Sequence, residues 1–298
     1  MLLLRSNIVR VNAQIARASL NQKFNIARLL SSASETSKLC YLEKLQDEDK
    51  GIAVLNMNRP AAKNAISIQF LTEFRQALEE VQFDSEVRVL ILRSLVDRVF
   101  CAGADLKERA GMSQVEVTKF LHNLRQTFCQ LETLPQPTIA SVDGAALGGG
   151  LEMALSCDMR VAGTGAKVGL PETNLAIIPG AGGTQRLTRL VGVGLAKELI
   201  FTARVLTNEQ AREIGLVNHA VKESSSYDKA INLAREILPK GPLAIRMAKI
   251  AIDRGIQVDK ESGLEIEQLC YAPILKTKDR LEGLAAFKEK RKPSYKGE

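Results

Sequence analysis

Tryptophan is absent from this chain of 298 residues, and Phe and Tyr together supply only 4% of it. Platforms that stack nucleic-acid bases are built from aromatic rings, so a base-reading surface has little material here. Histidine occurs twice, as His122 and His219, neither with metal-ligand neighbours at helical spacing. His122 falls in a predicted helix and His219 near a predicted strand, and both are expected to be structural. Five cysteines, Cys40, Cys101, Cys129, Cys157 and Cys270, lie far apart with no Cys-x-x-Cys pair. That spacing argues against a zinc site or a disulfide framework and for reduced, mostly buried thiols. No stretch nears the ~18 uninterrupted apolar residues of a membrane span.

What is present suits a soluble globular protein: 45% hydrophobic and 25% charged residues, enough for a sizeable core. The net charge of +7 is unevenly spread. Residues 1–34 carry Arg5, Arg10, Arg17, Lys23 and Arg28 with no Asp or Glu, which leaves only +2 for everything after them. A basic, Ser-containing, acid-free leader reads as a mitochondrial presequence, and Arg28-Leu29-Leu30-Ser31 places an arginine just ahead of a cleavage point. The mature protein is then expected in the mitochondrial matrix. A partner-binding arm is the alternative for this segment; a secretory signal fits worse, because Leu2–Leu4 is too short for its apolar region.

Beyond the leader, strand and helix patterns alternate. Leu39–Leu45 and Ile52–Met57 read as strands about a polar turn, Ser67–Val81 as a helix with Leu71, Phe74, Leu78 and Val81 on one face, and Val87–Leu92 as a strand. A helix is expected from Ser113 to about Leu131, ended by Pro135 and Pro137, then a strand at Thr138–Val142 and a helix at Leu151–Ser156. After short strands at Met159–Ala162 and Lys167–Gly169 the pattern becomes helical to the end, broken at Pro239, Gly241 and Pro242. Helices are expected at Leu243–Ile252, Leu264–Tyr271 and Asp279–Lys290. The division is therefore a core over residues 39–238 and a helical C-terminal region over 239–298.

The chemistry concentrates in three places. Phe100-Cys101-Ala102-Gly103-Ala104-Asp105-Leu106-Lys107 follows a strand, and its small residues let a ligand approach the main chain. Gly148-Gly149-Gly150-Leu151-Glu152 puts three glycines before a helix, which costs conformational entropy and gives close backbone approach and free N–H donors. No Gly-Lys-Ser/Thr follows, so this is no phosphate loop, and a dinucleotide fingerprint is missing too. Gly169-Leu170-Pro171-Glu172-Thr173 precedes a second glycine stretch, Ile178-Pro179-Gly180-Ala181-Gly182-Gly183-Thr184. Taken singly, Glu152 is a dipole-favoured helix residue and Glu172 a turn cap. Together with two N–H-rich loops they suggest acid/base chemistry beside a carbonyl whose oxyanion those donors hold.

These segments, with Asn58-Arg59-Pro60-Ala61-Ala62-Lys63-Asn64-Ala65, the run Gly183–Leu187 and the tail Ala286–Arg291, resemble the enoyl-CoA hydratase/isomerase (crotonase) family over essentially everything past residue 39. The resemblance implies an α/β fold, a spiral of β-β-α units with a C-terminal helical region, assembled as a homotrimer or homohexamer. It implies an oxyanion hole from the N–H groups of Ala104 and Gly149, with Glu152 and Glu172 holding a water between them. It implies a coenzyme A channel lined by Ala104, Asp105, Leu106 and Lys107, with Lys107 and tail residues such as Lys290 near its phosphates. No metal or redox cofactor is implied, coenzyme A being part of the substrate. Two glutamates favour hydration of a 2,3 double bond over isomerisation, which often uses one; an isomerase and a non-catalytic RNA-binding or scaffold protein are the alternatives.

Within the family, Ala196–Phe201 and Thr277–Leu284 resemble a mitochondrial branch that includes the hydration of 3-methylglutaconyl-CoA in leucine degradation. One relative there is also described as binding RNA, through a lysine-rich helix. Here the matching stretch, 70–84, carries Glu73, Glu79, Glu80 and Asp84 against Arg75 alone, so RNA binding is not expected.

Overall fold

The structure is a computed structural model that describes residues 38–223 and 225–298. The leader expected over residues 1–34 lies outside the described residues. Cys40–Glu298 forms one compact unit.

Two sheets organise it. The larger has the order β1 (Cys40–Lys44), β2 (Ile52–Met57), β3 (Val89–Ser94), β5 (Thr138–Val142), β7 (Met159–Ala162) and β10 (His219–Ala220). Its neighbours run parallel except for β1 against β2, which form a hairpin. The smaller has the order β4 (Val99–Cys101), β6 (Ala145–Leu147), β8 (Lys167–Gly169) and β9 (Val205–Thr207), with β4, β6 and β8 parallel. The chain visits the sheets alternately, β3 then β4, β5 then β6, β7 then β8, so each turn of the spiral adds one strand to each. This is the expected β-β-α spiral.

Helices close each turn. α1 (Ile68–Phe83) starts at Ser67, whose side chain accepts from the Phe70 N–H, and it buries Phe70, Leu71, Phe74, Leu78 and Val81. α2 (Leu106–Ala110) is a short helix, and α3 (Gln114–Glu132) opens with a reciprocal cap between Ser113 and Glu116. α4 (Gly149–Leu155) is buried throughout. α5 (Gly183–Val191), α6 (Val193–Phe201), α7 (Asn208–Glu213) and α8 (Ser226–Ile237) follow. One face of the larger sheet, with Ile52, Val54, Val89, Ile91, Ile139 and Val161, packs on Ala230, Ile231 and Ala234 of α8. Strand β2 is buried at every position, as a central strand covered on both faces requires.

Two expectations change. The region after Gly169 is not wholly helical, since β9 and β10 intervene; at three and two residues they are too short to impose a period-2 signal. The helix expected from Leu151 begins two residues earlier, because Gly148 alone takes the left-handed turn (φ 53°) and Gly149 is already helical. The terminal helices α9 (Pro242–Gly255), α10 (Lys260–Ile274) and α11 (Lys278–Glu289) follow the expected break. Lys249 on α9 is held by Asp158 at 2.8 Å, which ties this region to the core. Arg88 reaches the carbonyls of Leu238 and Lys240 just ahead of it.

Candidate active site

Strands β4, β6 and β8 are parallel neighbours, so the turns leaving their C-terminal ends lie side by side. Those turns are the three segments singled out from sequence: Ala102–Asp105 after β4, Gly148–Gly149 after β6, and Leu170–Glu172 after β8. The crevice beyond the carboxyl ends of parallel strands is where open α/β sheets bind ligands.

The β4 turn is fixed from outside. Ile66 donates its N–H to Gly103 O (2.8 Å) and accepts from the Asp105 N–H (3.1 Å), bracketing Ala104 in a parallel bridge. In that pairing Ile66 uses both its polar groups on residues 103 and 105, and the Ala104 N–H faces the other way. Asp105 caps α2 by accepting from the Lys107 and Glu108 N–H groups and is paired with Arg59 at 2.7 Å. Arg59 also donates to Ala65 O at 2.7 Å. Asn64, with φ 53°, donates to Ser94 Oγ and Phe100 O and accepts from the Arg59 N–H. Arg59 and Asn64 are thus positioning residues given no role in the sequence reading, although the Asn58–Ala65 motif contains both.

The glycines of the β6 turn serve separate ends. Gly148 bonds its N–H to Gly169 O at the end of β8. A Cβ on Gly149 would lie 3.5 Å from the Ala104 nitrogen, so these two backbone positions adjoin. Among the described residues neither the Ala104 nor the Gly149 N–H donates to a protein acceptor. Gly150 lies so close to the Cys101 carbonyl that any Cβ would overlap it. The triple glycine therefore lets α4 start against β4 with the Gly149 N–H open.

The two glutamates exchange the glycine partners that sequence proximity suggests. Glu152, one turn into α4 and 2% exposed, directs Oε1 at the second glycine stretch, accepting from the N–H groups of Ala181 (2.8 Å) and Gly183 (2.7 Å). These donors stand at the start of α5, where the helix dipole favours an anion. The second glycine stretch, expected as an oxyanion donor, is committed to a carboxylate instead. Glu172 sits over Gly148, with Oε1 3.1 Å from where a Cβ on that glycine would be. Its Oε2 is buried without a hydrogen-bond partner.

Their titrations follow from these surroundings. Burial pushes the Glu172 carboxyl up to about 7, and the nearby charge of Glu152 adds to the rise. Burial also raises Glu152, but the two N–H donors and the charges of Arg186 and Arg125 oppose it. The arrangement offers a carboxylate with one oxygen fixed, a second carboxyl biased toward its neutral form, and two open N–H groups on the neighbouring turns.

Leu106 is 51% exposed, and Lys107 follows it, also exposed, on the first turn of α2. The Asp105 side chain is engaged by Arg59 and the α2 cap, so only its main chain is left to face a ligand. Lys290 ends α11 in the left-handed conformation and is exposed. His122 lies exposed on α3 and His219 in β10, and no group of three or more His, Cys, Asp or Glu side chains suited to a metal occurs among the described residues. No helix among them is long and apolar enough to cross a membrane.

Residues 47–298 match the model of the family described as enoyl-CoA hydratase/isomerase. The mouse protein named methylglutaconyl-CoA hydratase, mitochondrial, is 53% identical over 272 residues, spanning 90% of this chain and 87% of its own length. Mouse enoyl-CoA hydratase domain-containing protein 2, mitochondrial, is 50% identical over 295 residues, 97% of this chain and all of its own. Among solved structures, an enoyl-CoA hydratase from Bacillus anthracis superposes with a TM-score of 0.84 at 47% identity, covering 87% of this chain and all of that one.

Proposed function

We propose that this chain, which belongs to the enoyl-CoA hydratase/isomerase family and is an enoyl-CoA hydratase, adds water across the 2,3 double bond of a short or branched acyl-CoA. The carrying observation is that Glu152 and Glu172 share a site with the open N–H groups of Ala104 and Gly149. In this reading the thioester oxygen accepts from Ala104 and Gly149. Glu152, whose carboxylate form the Ala181 and Gly183 N–H groups favour, takes a proton from water as the hydroxyl bonds to the β-carbon. The electron pair of the double bond moves to the thioester oxygen, where the two N–H groups hold the enolate. Glu172, neutral below about pH 7, then gives its proton to the α-carbon, and transfer from Glu152 back to Glu172 through solvent resets the pair.

In the same reading the main chain of Ala104–Lys107 lines the coenzyme A channel, and the exposed Lys107 pairs with one of its phosphates. The acyl group proposed first is 3-methylglutaconyl, from the 53% identical relative. The protein acts in the mitochondrial matrix, in keeping with the printed names of its relatives and the basic leader. It assembles as a trimer or hexamer and does not bind RNA through α1, whose acids outnumber its bases; tight, salt-sensitive retention of RNA on filters would refute that last point.

Hydration of 3-methylglutaconyl-CoA and crotonyl-CoA in ¹⁸O-water, by protein starting near Ser31, tests the reading. Label on the β-carbon of either product supports a hydratase, and preference for the first thioester supports the branched substrate. A shifted double bond without label would make the enzyme an isomerase.

A further inference from the structure

The loop that holds Glu152 is itself gripped from its outer side. Each peptide unit is planar and trans, so its carbonyl and its N–H point in opposite directions, and fixing one aims the other. The peptide joining residues 180 and 181 presents its carbonyl, Gly180 O, to Arg125 of α3 (3.3 Å) and its N–H, that of Ala181, to Glu152. The next carbonyl, Ala181 O, accepts from Arg186 Nη1 at 3.0 Å. The third, Gly182 O, accepts from the first-turn N–H groups of Gln185 and Arg186, and the N–H of that peptide, on Gly183, completes the pair on Glu152. Gly182 has φ 108°, and the Arg186 guanidinium lies where its Cβ would be, so the loop and the guanidinium fit only without a side chain there.

Arg186 is in turn immobilised. Its side chain is 12% exposed, and Nε and Nη2 reach Glu132 of α3 at 3.2 and 2.7 Å. This two-pronged geometry is one that a lysine cannot reproduce. None of these arginine contacts is needed to start α5, whose first turn is already satisfied by Gly182 O.

We propose that Arg186, locked by Glu132, is a positioning residue that fixes the peptide between the two donors and, with Arg125 holding the peptide of the Ala181 N–H, keeps the Ala181 and Gly183 N–H groups aligned on Glu152. The inference rests on the hydratase reading for its kinetic readout only. The charged groups facing Glu152 are Arg186 from α5, Arg125 from α3 and Glu172 from the turn after β8. Removing the guanidinium takes away a positive charge that favours the carboxylate and frees the peptide between its two donors, so the pH below which activity is lost must rise.

The test compares Arg186→Gln, Arg186→Lys and Glu132→Gln with the unmodified enzyme in crotonyl-CoA hydration across pH, and follows the Ala181 and Gly183 amide resonances by NMR as Glu152 titrates. Arg186→Gln is expected to lower kcat roughly a hundredfold, the scale of losing an aligned active-site donor, with KM little changed and the acidic limb moved to higher pH. Arg186→Lys should restore much of the limb position but little of kcat, and Glu132→Gln should fall between. In Arg186→Gln the two amides should titrate at higher pH. The inference fails if these variants keep the limb and the amide titration of the unmodified enzyme, whether or not thermal stability drops. Should Arg186→Gln not fold, Arg186→Lys and Glu132→Gln decide on the same criteria. An unmodified enzyme that hydrates nothing would sink the hydratase reading, while the amide titrations would still decide the clamp.

Discussion

At the scale of single residues, burial gives two chemically identical side chains different work. Glu152 is more deeply buried but carries compensating donors; Glu172 has an oxygen with none. Replacing either by Gln should lower kcat by roughly 10²–10⁴-fold while acyl-CoA affinity, measured calorimetrically, stays close to that of the unmodified protein. Near-full turnover in either variant would reduce that glutamate to a structural role. The pH dependence has a sign for each group. Under the proposed roles, rising pH deprotonates Glu172, raised to about 7, so activity should fall on the alkaline side; falling pH protonates Glu152, so it should fall on the acidic side too. The two limbs belong to the coupled pair, and a kcat/KM profile with no alkaline limb would contradict the assignment of Glu172 as acid. Gly149→Pro removes the proposed oxyanion donor and puts the ring Cδ in its place: proline is accepted at the first position of a helix but has no N–H. The expected result is retained helicity by circular dichroism with kcat reduced about 10²-fold or more.

At the scale of elements, the proposed oxyanion hole depends on how a loop and a helix are pinned. Asp105 is the link, since one carboxylate caps α2 and pairs with Arg59, which also holds Ala65 O beside the bridge that bracket-fixes Ala104. Asp105→Ala removes a cap worth about 0.5–2 kcal/mol and leaves Arg59 without its carboxylate. A loosened Ala104 N–H misplaces the thioester, and misplacement of about 1 Å can cost 10²-fold. A drop in kcat/KM of roughly 10- to 100-fold is therefore expected from steady-state assays, and Asp105→Asn, which can still cap, should recover part of it. Equal activity in all three proteins would show that the Ile66 bridge alone suffices.

For the whole molecule, the C-terminal helices present more apolar surface than the chain covers. α9 and α10 bury no residue fully, and Ile252, Ile256, Leu269, Leu281, Leu284 and Phe287 are all more than half exposed, Phe287 at 87%. Exposed apolar surface of this kind is what the proposed trimer or hexamer would cover. Sedimentation velocity should therefore return a multiple of the chain mass, and Leu284→Lys with Phe287→Lys should shift the distribution toward the single chain. A single-chain species for the unmodified protein at micromolar concentration would refute the assembly.

The sequence alone determined which residues are candidates for the chemistry and the alternation of elements. Glu152, Glu172 and the small residues around Ala104 and Gly149 are legible because glycines that cost stability, set beside carboxylates, need a reason, and α1 and α3 are legible because their apolar spacing and Ser caps are local signals. Tertiary structure decided the partnerships. Strands β4 and β6 are three residues each and do not announce their partners, yet the parallel pairings of β4 with β6 and of β6 with β8 bring turns some 70 residues apart in sequence to one crevice. That pairing is why Glu152 is held by the Ala181 and Gly183 N–H groups and Glu172 lies over Gly148, the reverse of what chain proximity suggests. It is also why Arg59, Asn64 and Arg186 acquire their roles, since the carbonyls and carboxylates that engage them converge only when separate turns of the spiral are stacked.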